Sequence, residues 1–100
     1  MITEVKDLAL KYNSLVKGYR EHLHQYPELS FQEEKTHDYI VAVLKELGIS
    51  YRSNVGGGTG IIAELGSGEK TIALRADIDA LPIQESGSHS YKSKNQGVRL

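Results

Sequence analysis

The sequence predicts an α/β fold in which two helices precede a small sheet of about three strands. Apolar residues recur with helical spacing as far as residue 47, and after Gly48 the pattern changes to short apolar runs separated by glycine-rich stretches. The 100 residues make at most one ordinary domain. With 39% hydrophobic and 25% charged residues, the composition is typical of a soluble globular protein.

Charge and composition exclude several classes of partner. The formal net charge is −1 and no basic stripe is present, so we expect no nucleic-acid partner. No apolar run approaches the roughly 20 residues of a membrane span, and charges stand where a signal peptide needs an apolar core. The absence of cysteine excludes disulfides and thiolate metal sites, and it agrees with a cytoplasmic location.

The first helix is predicted over residues 3–24. Thr3 is a plausible N-cap, and Pro27 disfavours helical backbone at Tyr26, so the helix should end before that point. Its apolar stripe follows the i, i+3, i+4, i+7 pattern and consists of Val5, Leu8, Ala9, Tyr12, Leu15, Val16, Tyr19 and Leu23.

Two histidines near the end of this helix suggest a metal site. Residues i and i+2 of a helix do not face each other, so His22 and His24 cannot chelate one ion while the helix is intact. The pattern favours a role for His24 or Glu28 in fixing the loop over residues 25–29.

A second helix is predicted from a capping box to about Leu47. Ser30 would cap the helix and Glu33 would return the hydrogen bond, while Gly48 is a typical residue after a helix end. Glu33 and His37 are expected at the surface. The apolar stripe consists of Thr36, Tyr39, Ile40, Val43, Leu44 and Leu47.

The strands are predicted after Gly48. A weak strand covers residues 49–52, and residues 61–65 and 71–76 form a hairpin around the loop 66–70. The hairpin shows little polar alternation, so it should be buried on both faces. Residues 84–100 are polar and indicate a loop.

The glycine run at residues 56–60 permits two interpretations. It could cradle a phosphate, which would make the chain a nucleotide-binding piece. The phosphate-binding loop of nucleotide hydrolases, however, needs Gly-Lys-Ser/Thr and a following helix, and neither is present. A flexible turn that leads into a strand is favoured.

Two carboxylates follow the last apolar run. If strand geometry persists past Ala76, Asp77 and Asp79 point in the same direction, because residues i and i+2 of a strand share a face. Such a pair could hold a metal or orient a metal ligand. The alternative is an acidic, solvated turn, since Pro82 must end a strand or lie at an edge.

Three stretches in order carry a resemblance to a known family: REHLHQYPELSFQE at residues 20–33, GTGIIA at 58–63 and LRADIDALPIQE at 74–85. Together they closely resemble the start of the metal-dependent aminoacylase/amidohydrolase/carboxypeptidase family. This family includes hippurate hydrolases, N-acyl-amino-acid amidohydrolases and hydrolases of indoleacetyl-amino-acid conjugates.

The resemblance implies an incomplete zinc-peptidase-like catalytic domain. In the parent enzyme, two divalent metals (Zn, Mn or Co) would activate a water that cleaves the amide bond of an N-acyl amino acid or small peptide, with a Glu as general base. Asp79 matches the aspartate that orients the metal site. Asp77 stands where distant relatives have a histidine ligand, and it is a weaker catalytic candidate.

The resemblance assigns no metal ligand within the chain. After residues 95–98 the family continues with a Met-His-Ala-Cys-Gly-His-Asp-like motif that supplies ligands, whereas this sequence ends with Arg99-Leu100. Residues 1–100 are therefore expected to be the N-terminal part of the catalytic domain, inactive and self-associating by themselves. The alternative is a free-standing interaction module derived from such an enzyme.

Overall fold

A computed structural model describes residues 2–100 and contains two helices and one β-hairpin. The elements are α1 (Ile2–Gln25), α2 (Glu34–Leu47), β1 (Ser50–Val55) and β2 (Gly60–Glu64). The α/β fold class is confirmed, with two strands in the described residues in place of about three.

Helix α1 extends one residue beyond each predicted end, and it packs only through its last two turns. Residues 2–18 are exposed, while Tyr19 and residues 21–25 are partly or fully covered. The His22 ring stacks on Tyr39 of α2 with centroids 3.9 Å apart, and Tyr19 meets the same ring edge-on at 6.4 Å. The two helices therefore touch through aromatic side chains near the end of α1.

Helix α2 begins later than the capping box predicted. Glu33 occupies the N-cap position without a side-chain cap bond, and Phe31 has a left-handed φ of 64°, so Ser30 lies outside the helix. The prediction of Ser30 as the cap is wrong, because the chain turns at Phe31 before the helix starts.

The carboxylate of Glu28 takes over the capping of α2. It accepts hydrogen bonds from the backbone N–H of Thr36 at 2.6 Å and of Lys35 at 3.2 Å. These amides belong to the first turn, whose N–H groups have no partner inside the helix. Glu28 therefore joins the loop after α1 to the start of α2, which agrees with its predicted role in fixing that loop.

The N-cap residue of α2 and one residue of its first turns, Glu33 and His37, are more buried than predicted. Glu33 is 7% exposed and His37 is 9% exposed, so neither belongs to a solvated face. At the other end of α2, Gly48 has a φ of 69°, and the N–H groups of Gly48 and Ile49 bond to the carbonyls of Lys45 and Leu44. The predicted role of Gly48 is confirmed.

The glycine run is the loop of the β1–β2 hairpin. The strands are antiparallel, with an irregularity in register between Arg52 and Val55. Asn54 has a φ of 56°, and its side-chain Nδ2 donates to the carbonyl of Gly58 at 3.1 Å. A Cβ on Gly60 would lie 2.7 Å from the carbonyl oxygen of Val55, so only glycine fits there.

The hairpin predicted from residues 61–65 and 71–76 is wrong. Residues 65–79 contain no strand, and β2 pairs with β1 instead. Ile72 is 90% exposed and Leu74 is 98% exposed, so no other part of residues 2–100 buries these apolar side chains.

Residues 80–99, called the return segment below, lead the chain back to the end of α1. The N–H of Ala80 donates to the carbonyl of Glu28 at 2.8 Å, and Leu81 and Arg99 form an antiparallel bridge. The N–H of Lys94 donates to the carbonyl of Gln25 at 2.7 Å. The predicted loop is thus irregular in structure but attached to the chain at several points.

Across residues 2–100, neither helix has the length and apolar character needed to cross a membrane.

Candidate functional site

The two predicted site residues lie in the extended, exposed segment before Ala80. Asp77 Oδ1 lies 2.8 Å from Nη2 of Arg75, and both side chains are mostly in solvent. Asp79 is also exposed. No strand forms here, so the condition under which Asp77 and Asp79 would share one face of a strand is not met. Their roles in an intact enzyme stay predictions.

The described residues instead bring together His24, Glu85 and His89. Oε2 of Glu85 lies 2.8 Å from Nε2 of His24 and 2.7 Å from Nε2 of His89. The Glu85 side chain is completely buried, whereas the His89 side chain is 36% exposed. One carboxylate oxygen therefore joins the end of α1 to the return segment, with an opening to solvent beside His89.

The other carboxylate oxygen of Glu85 is held by the backbone. Oε1 accepts a hydrogen bond from the N–H of Ser93 at 2.7 Å. This bond, followed by the one from His24, lowers the pKa of Glu85 to about 2. An ionised carboxylate only accepts hydrogen bonds, so Nε2 of each histidine carries the proton that it donates.

The members of the cluster come from two parts of the chain. His24 lies in the last turn of α1 and is 8% exposed. Glu85 and His89 lie on the return segment, which is fixed by the Lys94–Gln25 backbone bond. The rings of His24 and Tyr91 meet edge-on at 5.5 Å, which helps to exclude water from the buried side.

His22 takes no part in this cluster. Its ring lies 3.9 Å from that of Tyr39, on a separate open groove of about 390 Å³. The inference that His22 and His24 cannot share one ion is therefore consistent with the structure. The groove is lined by His22, Leu23, Gln25, Tyr26, Lys35, Thr36 and Tyr39.

Sequence reasoning found one member of the cluster and missed two. A role for His24 in the region around its loop was predicted, but Glu85 and His89 were placed in a polar loop. Their i, i+4 spacing predicts a contact only on a helix, and residues 85–89 form none. No local pattern could join His24 to Glu85, because 61 positions separate them.

The described residues do not make a two-metal centre. Two ions need about four ligands each, whereas Asp77 and Asp79 belong to no group of converging histidine or carboxylate ligands within residues 2–100. The one such group found there is His24, Glu85 and His89, whose donor atoms all lie within 4.8 Å of one another. It has three donors, enough for a single ion.

The chain is similar in sequence to several bacterial hydrolases, although no protein-family model matches it. It is 52% identical over 81 residues to the presumed amidohydrolase YhaA of Bacillus subtilis, covering 79% of this chain and 20% of that protein. It is 41% identical over 97 residues to the N-acyl-L-amino acid amidohydrolase of Geobacillus stearothermophilus, covering 95% of this chain and 26% of the relative. The chain thus spans about a fifth to a quarter of the length of these relatives.

Two solved structures share the fold. The Bacillus subtilis YXEP protein, described as a dinuclear metal-binding peptidase of the M20 family, has a TM-score of 0.80 and 41% identity over 89% of this chain and 25% of its own. A presumed aminohydrolase from methicillin-resistant Staphylococcus aureus has a TM-score of 0.88 and 38% identity, covering 99% of this chain and 27% of its own. By sequence and by fold, the chain corresponds to one segment of metal-dependent amidohydrolases and M20 peptidase relatives.

Proposed function

We propose that residues 1–100 form the N-terminal part of the catalytic domain of an enzyme that hydrolyses the amide bond of N-acyl amino acids or small peptides. The observation that carries this proposal is the 41% identity to an N-acyl-L-amino acid amidohydrolase over 97 residues. The fold shared with a dinuclear metal-binding peptidase supports it. Zn, Mn or Co ions would supply the activated water in the whole enzyme.

Within this proposal, Asp79 orients the metal site of the whole enzyme and Asp77 has a lesser part. Asp79 directly precedes Ala80, which is 5% exposed and bonded to the carbonyl of Glu28. The bond of Ala80 fixes the backbone next to Asp79, so the Asp79 side chain projects from a fixed position. Asp77 lies two residues further from the anchor and already pairs with Arg75.

The chain alone should not catalyse the reaction. Its described residues supply ligands for one ion at most and no second converging group.

We also propose a cytoplasmic location, which the lack of cysteine supports and which fractionation of cells that produce the protein would test.

A chimera tests the activity. The 97 matched residues replace the corresponding segment of the Geobacillus enzyme, and hydrolysis of a panel of N-acyl amino acids is measured with Zn, Mn and Co. We expect activity within about tenfold of that of the intact relative, because substitutions between homologues preserve packing. In the chimera, Asp79→Asn should lower kcat by about tenfold to a hundredfold.

The matched control is Glu69→Gln, an equivalent loss of charge in the exposed loop after β2. It should leave kcat and KM unchanged, and Asp77→Asn should reduce kcat less than Asp79→Asn does. A stable, folded chimera without activity on any substrate of the panel would contradict the proposal. Equal rates for the Asp79→Asn and Glu69→Gln chimeras would remove the role of Asp79.

We further propose that the isolated chain self-associates. The exposed apolar side chains of Leu65, Ile72 and Leu74, together with the uncovered face of α1, support this. Light scattering should show a mass that rises with concentration, and the double change Ile72→Ser and Leu74→Ser should reduce it. A constant monomer mass at high concentration would refute self-association and weaken the alternative of an interaction module.

A further inference from the structure

Three donor atoms meet where the return segment crosses the end of α1. Nε2 of His24 and Nε2 of His89 both face Oε2 of Glu85, at 2.8 and 2.7 Å. Two imidazole nitrogens and one carboxylate oxygen form a ligand set that proteins use for single Zn²⁺ ions with a water in the fourth position. The same set with open positions also suits other divalent transition metals.

The carboxylate of this set is fixed and charged. The N–H of Ser93 holds Oε1, which leaves Oε2 directed at the two histidines. The carboxylate therefore gives the cluster the negative charge that a cation requires.

The two separations from Oε2 need only a small adjustment, and the donor atoms already lie within 4.8 Å of one another. Tetrahedral geometry with metal–ligand bonds of about 2.0–2.1 Å places the donors about 3.3 Å apart. Each histidine would therefore move about 0.5 Å away from Oε2. His89 can supply this movement because its side chain is 36% exposed and Gly87, two residues earlier, has a φ of 121°. The exposed side of His89 also gives an ion and a water access to the site.

We propose that His24, Glu85 and His89 bind one divalent transition-metal ion, of the Zn²⁺ or Co²⁺ type, through both Nε2 atoms and Oε2. On binding, each Nε2 gives up the proton that it shares with Oε2, so that its lone pair becomes the ligand. The ion replaces the two hydrogen bonds that hold the cluster together. The site does not depend on the proposed amidohydrolase activity.

Titration of the 100-residue chain with Co²⁺ tests this site. Four-coordinate Co²⁺ has intense visible bands, and we expect them to saturate at one ion per chain. His89→Gln should weaken binding about tenfold or more. This variant is chosen because the Gln amide can still donate to Glu85 and the partly exposed position tolerates the change. Glu85→Gln should weaken binding at least as much.

His22→Gln is the matched control, because His22 lies on the same helix but stacks on Tyr39 outside the cluster. It should leave the Co²⁺ affinity unchanged. Nuclear magnetic resonance of the ring nitrogens with Zn²⁺ gives a second readout, in which Nε2 of His24 and His89 should shift together. Lack of the visible bands at saturating Co²⁺, or equal binding by the wild type and His89→Gln, would show that the cluster is a hydrogen-bonded clasp and overturn the proposal.

Discussion

Nε2 of His24 and Oε2 of Glu85 lie 2.8 Å apart although 61 positions separate the two residues. This hydrogen bond joins α1 to the return segment, and the bond from the Ser93 N–H holds the same carboxylate within that segment. The two regions are also joined by the backbone bonds of Lys94 to Gln25 and of Ala80 to Glu28, and by side-chain bonds of Gln25 to Ser90, Lys94 to Tyr26 and Asn95 to Pro27. Glu85 is therefore the side chain through which the attachment can be tested most directly.

Replacement of Glu85 by Gln should loosen the return segment. The amide group has one oxygen where the carboxylate has two, so one of the three hydrogen bonds to Glu85 loses its acceptor. Amide hydrogen exchange at Ser93 and Lys94 should become about tenfold faster. Glu69→Gln, in the exposed loop, serves as the control. Unchanged exchange in Glu85→Gln would show that the bonds other than those of Glu85 hold the segment.

Acid should weaken the same attachment. The pKa of Glu85 is lowered from 4.5 to about 2 by the Ser93 N–H and then by His24. A lowered carboxyl pKa stabilises the folded chain above pH 4.5, and this stabilisation is lost as the pH falls from 4.5 towards 2. The urea midpoint of the wild type should therefore fall more steeply in this range than that of Glu85→Gln. Parallel pH profiles for the two proteins would contradict the prediction.

Glu28, and not Ser30, should control the start of α2. Glu28→Ala removes the acceptor for the N–H groups of Lys35 and Thr36 and should lower the free energy of unfolding by about 1 kcal/mol. Ser30→Ala should change it by less than about 0.5 kcal/mol, because Ser30 is exposed and makes no capping bond. Urea unfolding of both variants gives the comparison, and a larger effect at Ser30 would favour the capping box.

The same substitution should have opposite effects at two glycines. Gly48→Ala places a Cβ at a φ of 69° and should destabilise the chain by about 1 kcal/mol. Gly18→Ala lies inside α1 with no atom within 4 Å of the new Cβ, and it should stabilise the helix by about 0.5–1 kcal/mol. Thermal unfolding followed by circular dichroism measures the unfolding midpoint of each variant. Midpoint shifts of the same sign would refute the prediction of opposite effects.

The helices could be predicted because their signals are local. The apolar spacing and Pro27 set the bounds of α1 to within one residue, and Gly48 marked the end of α2. The start of α2 could not be found in the same way, because Glu28 reaches its first turn from outside the helix. A capping box identifies a possible cap, but it does not show that another acceptor is already in place.

The third strand was predicted where none forms, and the histidine–glutamate cluster was missed, because both depend on partners that are distant in the sequence. A strand forms only with a partner, and the apolar character of Ile72 and Leu74 does not specify one. The cluster depends on contacts between residues 24 and 85, which no periodicity in the sequence records. Asp77 and Asp79 stood out by their spacing, whereas the structure places the converging side chains a few residues further along.

The parallel bridge between Leu29 and Ala80 has a consequence for the synthesis of the protein. α2 and the hairpin lie entirely between these residues and can form from local contacts as soon as they leave the ribosome. His24 must wait for Glu85, 61 positions later, which at usual rates of translation is roughly 3–12 s. During that interval the His24 side of the end of α1 is uncovered, although His22 can already stack on Tyr39 of α2.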